Sequence, residues 1–201
     1  MLWCHQIPPP PREHSTFKSI AEAPMRAPLL PARFGIHVMA GMYEEYVTMS
    51  KSNVTLFGDG IGNTIITGRH NHNDGFTTSF SASLSDCGGR RFIGAYMTVR
   101  NEAGTNKNQA VAMRASANHA AFYRCNFEGY QDTLYPEEGN QFYKECQIYG
   151  TIDFFNVGPL VGGEDGGGGT LVVVVADPPW DDDPMAPATT FDDDDDIIVG
   201  T

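Results

Sequence analysis

Positive charge runs out early in this chain: no Lys or Arg follows Lys144. Residues 1–158 carry 14 acidic and 13 basic side chains, whereas residues 159–201 carry 11 acidic and none basic, so the net charge of −12 belongs to the tail. Phosphate contacts need clustered Lys and Arg, and without such a cluster nucleic acid is excluded as a partner. Long apolar runs are missing too. The longest near-uniform one, Leu171 to Ala176, falls far short of the roughly 18 residues of a membrane span. The opening MLWCHQIPPPPREH has no basic stretch followed by an apolar one, so no secretory signal is read there. Cysteine is sparse, and Cys4, Cys87, Cys125 and Cys146 match no zinc spacing. His70-Asn71-His72 offers two imidazoles without a third placed ligand and reads as a solvated corner; neither metal nor cofactor is expected.

What is present is a repeat. Across Phe122 to Phe155, Phe122-Tyr123-Arg124-Cys125 is answered by Phe142-Tyr143-Lys144-Glu145-Cys146, Gly129 by Gly150 and Asp132 by Asp153, a period of about 21 residues. Short apolar runs with Gly and Asn at the corners, repeated at that period, describe a solenoid of strands in which each coil buries its inward side chains on the next. Residues one period apart then share a face. Gln109, Gln131 and Asp153 are spaced by 22 residues, with Asp132 beside Gln131. Two carboxylates and two amides on one rigid wall suit an acyl-transfer site. Cys125 and Cys146 fall on adjacent coils, close enough either to bridge or to remain two buried thiols.

The chain, 201 residues and 41% hydrophobic, is long enough for one domain with a sizeable core. Residues 1–13, with Pro8 to Pro11, form an extended leader. Thr16 to Ala23 reads as a short helix with Phe17, Ile20 and Ala23 on one face, capped by Ser15 or Thr16 and ended by Pro24. From Phe34 the signal is strand and turn, with Val54, Leu56 and Ile65 as core and Gly58, Gly60 and Gly62 at corners. Residues 14–158 make up the solenoid domain. Residues 159–201, rich in Gly and Asp, read as a poorly ordered tail in which the valine run could add one strand.

Five blocks in order carry a family resemblance: GMYEEYV (41–47), NVTLFGDGIGNTIITG (53–68), QAVAMR (109–114), YQDTLY (130–135) and GTIDFF (150–155). Together with FKSIAEAP (17–24), which resembles the opening of the catalytic domain, they resemble plant-type pectin methylesterases over about residues 14–158. The resemblance implies an all-β fold, a right-handed parallel β-helix, here incomplete at its C-terminal end. It implies hydrolysis of the methyl esters of homogalacturonan (pectin), an extracellular cell-wall location, and pectin and a proteinaceous pectinesterase inhibitor as partners.

The same resemblance implies the roles. Asp153 is the nucleophile that attacks the ester carbonyl. Asp132 protonates the departing methanol and then acts as base on water. Gln131 and Gln109 donate to the oxyanion. Thr78, or Ser79 beside it, contacts substrate from a segment similar to the family's Thr-Thr-Phe, and Tyr135 and Phe154 are candidates to stack on sugar rings. A disulfide between Cys125 and Cys146 is implied as well. Two departures bear on activity. Asn156-Val157 stands where a Phe-Gly pair is expected, and Pro178 precedes Pro179-Trp180 where the family places an arginine that pairs with the nucleophile. Reduced activity is the expectation that follows, the alternative being a catalytically impaired homologue that only binds pectin. An arginine near Asp153 in the folded chain would separate the two, and Arg100, Arg114 and Arg124 are the ones near it in sequence.

Overall fold

A computed structural model describes residues 17–26, 33–87, 89–156, 171–175 and 197–199. After one helical turn, α1 (Ala23–Arg26), the chain is almost entirely strand. In order these are β1 (Phe34–Val38), β2 (Gly41–Glu44), β3 (Val47–Met49), β4 (Val54–Gly58), β5 (Thr64–Gly68), β6 (Leu84–Asp86), β7 (Ile93–Asn101), β8 (Met113–Ala115), β9 (Ala120–Glu128), β10 (Leu134–Pro136), β11 (Gln141–Tyr149), β12 (Leu171–Val175) and β13 (Ile197–Val199). One sheet runs β1-β4-β7-β9-β11-β12-β13, with β2 and β5 joined to it through β7; a second runs β10-β8-β6-β3. Every described pairing is parallel except β12 with β13. The chain therefore advances one coil at a time as a right-handed parallel β-helix.

The 21-residue period is literal in the later coils. Phe122 pairs with Tyr143, Asn126 with Gln147 and Met113 with Leu134. The coil turns on residues with left-handed backbone, and these also recur in register. Tyr96, Arg124 and Glu145 (φ 56°, 49° and 52°) bend the long strands β7, β9 and β11 at matching points, and Asn53, Arg91 and His119 (φ 60°, 59° and 62°) precede β4, β7 and β9. Asn108, Asp132 and Asp153 (φ 58°, 61° and 47°) turn the coil after the long strands, the last two in register with each other. Asn and Asp tolerate this conformation better than other side chains with a Cβ.

Inward side chains fill the lumen. Val54, Leu56, Met97, Val99, Met113, Phe127 and Leu134 are fully buried. Phe122 stacks on Tyr143 with ring centroids 4.7 Å apart and meets Phe92 at 5.8 Å. One acid lies inside this core. Asp86 accepts the Ser116 amide at 2.7 Å while its other carboxyl oxygen has no partner, and burial holds its carboxyl protonated well above the usual range.

Several expectations change in the folded chain. The helix forms later than expected, at Ala23–Arg26, and Pro24 lies within it; in a first turn proline lacks only an N–H that would have no partner there. The preceding segment is instead tied to the solenoid by Glu45, whose carboxylate accepts Ser19 Oγ (2.8 Å) and the Ala21 amide (3.2 Å). Ile66, not Ile65, points into the core. Cys125 and Cys146 do lie opposite one another on adjacent coils, but the implied disulfide is absent and both are buried thiols. Their sulfurs donate to carbonyls two residues back, Tyr123 (3.6 Å) and Lys144 (3.5 Å), and burial pushes the Cys125 thiol up, away from the reactive thiolate. Of the tail, the valine run forms β12 against β11 and Ile197–Val199 pairs with it. The leader 1–13, Pro178 to Trp180 and the rest of the tail lie outside the described residues.

Phe122→Ala should cost about 3–5 kcal/mol of stability, the range for truncating a packed core aromatic. Urea unfolding followed by far-UV circular dichroism checks it, and a loss below about 1 kcal/mol would mean that the lumen collapses around the change.

Candidate active site

The second sheet supplies the floor of the site. Strand alternation turns Val47, Leu84, Met113 and Leu134 inward, all fully buried or nearly so, and leaves their neighbours Thr48, Ser85, Arg114 and Tyr135 in register as an outward column. A groove of about 510 Å³ lies over the first three of these. Its walls include Phe80, which is 73% exposed, and the stack of Tyr46, His70 and Phe76. The His70 ring is sandwiched at centroid distances of 3.5 and 3.7 Å, and burial lowers its pKa, favouring the neutral imidazole. The corner anticipated at residues 70–74 is thus half wall: His72–Asp74 forms a 3-10 turn that Asn71 caps.

At one end of this column stand the two aspartates. Asp132 is 2% exposed and Asp153 is exposed. The pairing of Leu134 with Phe155 places Asp153 one coil on from Asp132, both at left-handed corners. Burial raises the pKa of Asp132, and the charge of Asp153 raises it further, against a hydrogen bond from the Asn156 side chain that lowers it. Asn156, an anomaly in the sequence, thus touches the site. Nothing local marked it, because the contact depends on how the chain folds back after Phe155.

Gln109 and Gln131 are neighbours across the coil. Their offset of 22 holds where the Ala110 amide donates to the Gln131 carbonyl (3.0 Å). It falls to 21 at Met113 with Leu134, because Ala112 and Met113 both donate to the Thr133 carbonyl (3.0 and 3.1 Å). On the next coil the offset is again 21, since Leu134 pairs with Phe155, and this sets Asp153 in line with Asp132 rather than with Gln131. Among the described residues, neither glutamine commits its side-chain amide to a protein partner, so both remain available as donors. Gly150 holds the last turn closed: a Cβ there would run into that of Phe154 and lie 2.8 Å from Thr133 Oγ1.

The remaining residues divide. Thr78 begins a 3-10 turn (Thr78–Phe80), and its carbonyl accepts the Ser81 amide and hydroxyl. The Ser79 hydroxyl donates to Glu137 Oε1 at 2.9 Å. Tyr135, half-buried, sits among Ser79, Arg114, Glu137 and Asp132. Phe154 packs partly against the core. The three arginines near in sequence are committed elsewhere: Arg100 to Glu128 and Glu102, Arg114 to Glu137, and Arg124 to Glu145. Among the described residues Asp153 has no ion pair. Arg114 and Glu137 are the site residues that sequence reasoning left without a role. The signal was the 21-residue register, which puts Arg114 beside Tyr135.

Known proteins resemble this chain over most of the described residues. The pectinesterase family model matches residues 11–159. "Probable pectinesterase/pectinesterase inhibitor 47" of Arabidopsis thaliana is 51% identical over 150 residues, 72% of this chain and 24% of that protein. "Pectinesterase 2" of Citrus sinensis is 49% identical over 123 residues, 61% of this chain and 24% of that protein. The structure of pectin methylesterase from carrot superposes with a TM-score of 0.67 at 37% identity, covering 80% of this chain and 47% of that one. The chain spans about a quarter of the length of these curated relatives.

A pH dependence follows for Asp132. Its folded pKa is raised, so as pH climbs from the ordinary carboxylate range through that pKa the folded state loses stability relative to the unfolded chain. Asp132→Asn should therefore melt higher than the parent at neutral pH, with the difference closing on acidification. Thermal melts across that pH range check it, and a variant less stable at neutral pH would show that the carboxylate is held by favourable contacts.

Proposed function

The chain belongs to the pectinesterase family, and on that premise we propose that it hydrolyses the methyl esters of homogalacturonan, releasing methanol and leaving pectate. The observation that carries the reading is the unequal pair of aspartates. A carboxylate nucleophile must be ionised while its neighbour keeps a proton to give. Asp153, exposed and solvated, is the nucleophile: its carboxylate oxygen attacks the ester carbonyl, and the charge passes to the carbonyl oxygen. Asp132, whose burial and whose neighbour's charge favour the protonated form, donates that proton to the departing methoxy group. The resulting acyl-enzyme anhydride is opened by water, which gives its proton back to Asp132.

The negative oxygen formed in each step needs donors. The uncommitted amides of Gln109 and Gln131 fill that role. Ser79 and the exposed ring of Phe80 border the groove where the polysaccharide would lie, Tyr135 stands beside Ser79, and Thr78 reaches the groove only through the same short turn. The double name of the relative pectinesterase/pectinesterase inhibitor 47 supports a pectinesterase inhibitor as a protein partner, and pectin as the substrate would put the place of action in the cell wall.

Purified chain incubated with highly methylated pectin should release methanol, and Asp153→Asn should abolish the release. Gln131→Ala should lower kcat by about 10²–10³, the cost of one oxyanion donor. A folded chain that binds pectin yet releases no methanol would overturn the hydrolase reading and leave the binding homologue in its place.

A further inference from the structure

Among the described residues Arg114 is the one cation on the groove floor, and a carboxylate neutralises it. Its Nε donates to Glu137 Oε2 at 2.6 Å and a second guanidinium nitrogen meets the same oxygen. Glu137 is held on two further sides: Ser79 Oγ donates to its other carboxyl oxygen at 2.9 Å, and its backbone amide donates to the Ala115 carbonyl at 2.7 Å. The pair is partly buried, with the side chains 19% and 22% exposed. Glu137 therefore cannot swing away and leave the guanidinium open without breaking the contacts that tie the Thr78–Phe80 turn to the sheet. Asp132 lies close to Tyr135, which follows Arg114 in the column, Asp153 stands one coil on, and no described cation offsets Asp153. The column is thus neutral at Arg114, with the exposed carboxyl of Asp153 beyond it.

We propose that Glu137 is a specificity-determining residue: by neutralising Arg114 it makes the groove accept uncharged, methyl-esterified uronide units next to the two aspartates and disfavour units with a free carboxylate. The inference rests on the pectin reading above and deepens it. A guanidinium is the natural partner of a planar carboxylate, so an open Arg114 would favour the free acid; closed by Glu137, it offers that acid nothing while the exposed Asp153 repels it. An ester carries no charge and escapes both effects. The site would act on esterified stretches of the chain and withdraw from those already de-esterified.

The test is equilibrium binding of two oligogalacturonides of equal length, one fully methyl-esterified and one fully de-esterified, to the full chain carrying Asp153→Asn so that the ester is not consumed. Adding Glu137→Gln should tighten the free-acid oligomer about tenfold, the worth of one charge-assisted hydrogen bond, and leave the ester unchanged. The gain should shrink at high salt and vanish when Arg114→Gln is added. Unchanged free-acid affinity, or a gain that survives Arg114→Gln, overturns the proposal. Should Glu137→Gln fail to fold by circular dichroism, Arg114→Gln alone must weaken the free acid relative to the ester, and an unchanged ratio overturns it equally. If a folded parent binds neither oligomer, the pectin reading itself fails and takes this inference with it.

Discussion

The parallel ladder between successive coils is the constraint on which the rest of this molecule depends. Each coil can satisfy its backbone only by lying on the previous one in register, so every bend must recur at the same place one coil later. The left-handed corners show this directly. Tyr96, Arg124 and Glu145 stack, and so do Asn53, Arg91 and His119. Residues of very different chemistry accept the same uncommon backbone because the ladder leaves them no other.

The two aspartates belong to the same system. Asp132 and Asp153 hold positive φ because the coil turns there, and short polar side chains tolerate the turn. Corner duty and candidate chemistry are therefore not rival explanations of these residues. A stacked corner brings two carboxyls of adjacent coils together, and the fold then treats them unequally: one under the sheet edge, one in solvent. Burial and like charge act in the same direction on Asp132. A solenoid produces such an unequal pair with no loop rearrangement, since the coil spacing sets the separation.

Charge elsewhere on the body is distributed with similar economy. Arg100, Arg114 and Arg124, which the strand register brings to neighbouring coils, each meet a glutamate from the next coil. The exposed pairs contribute little to stability. Their larger consequence is that these three cations are committed to glutamates, so that among the described residues none of them pairs with Asp153.

The period, the strand content, the core at Val54 and Leu56 and the pairing of Asp132 with Asp153 were legible along the chain, because in a solenoid sequence separation maps almost directly onto space. The cysteines illustrate the limit: spacing placed them opposite one another, but whether they bridge depends on what each sulfur faces. Ile65 and Ile66 illustrate another, since a one-residue choice of inward face is settled by the pairing of β5 with its neighbours and not by apolarity. Asn156, the slip at Thr133 and the neutralised Arg114 were invisible, each being a contact between segments whose relative placement no local pattern encodes. What the sequence by itself determined is the repeat and the residue types at its corners, through backbone preference and periodic burial. What only the tertiary structure decided is which carboxyl is buried, which arginine is already paired and which amides remain uncommitted, because desolvation and charge act through space.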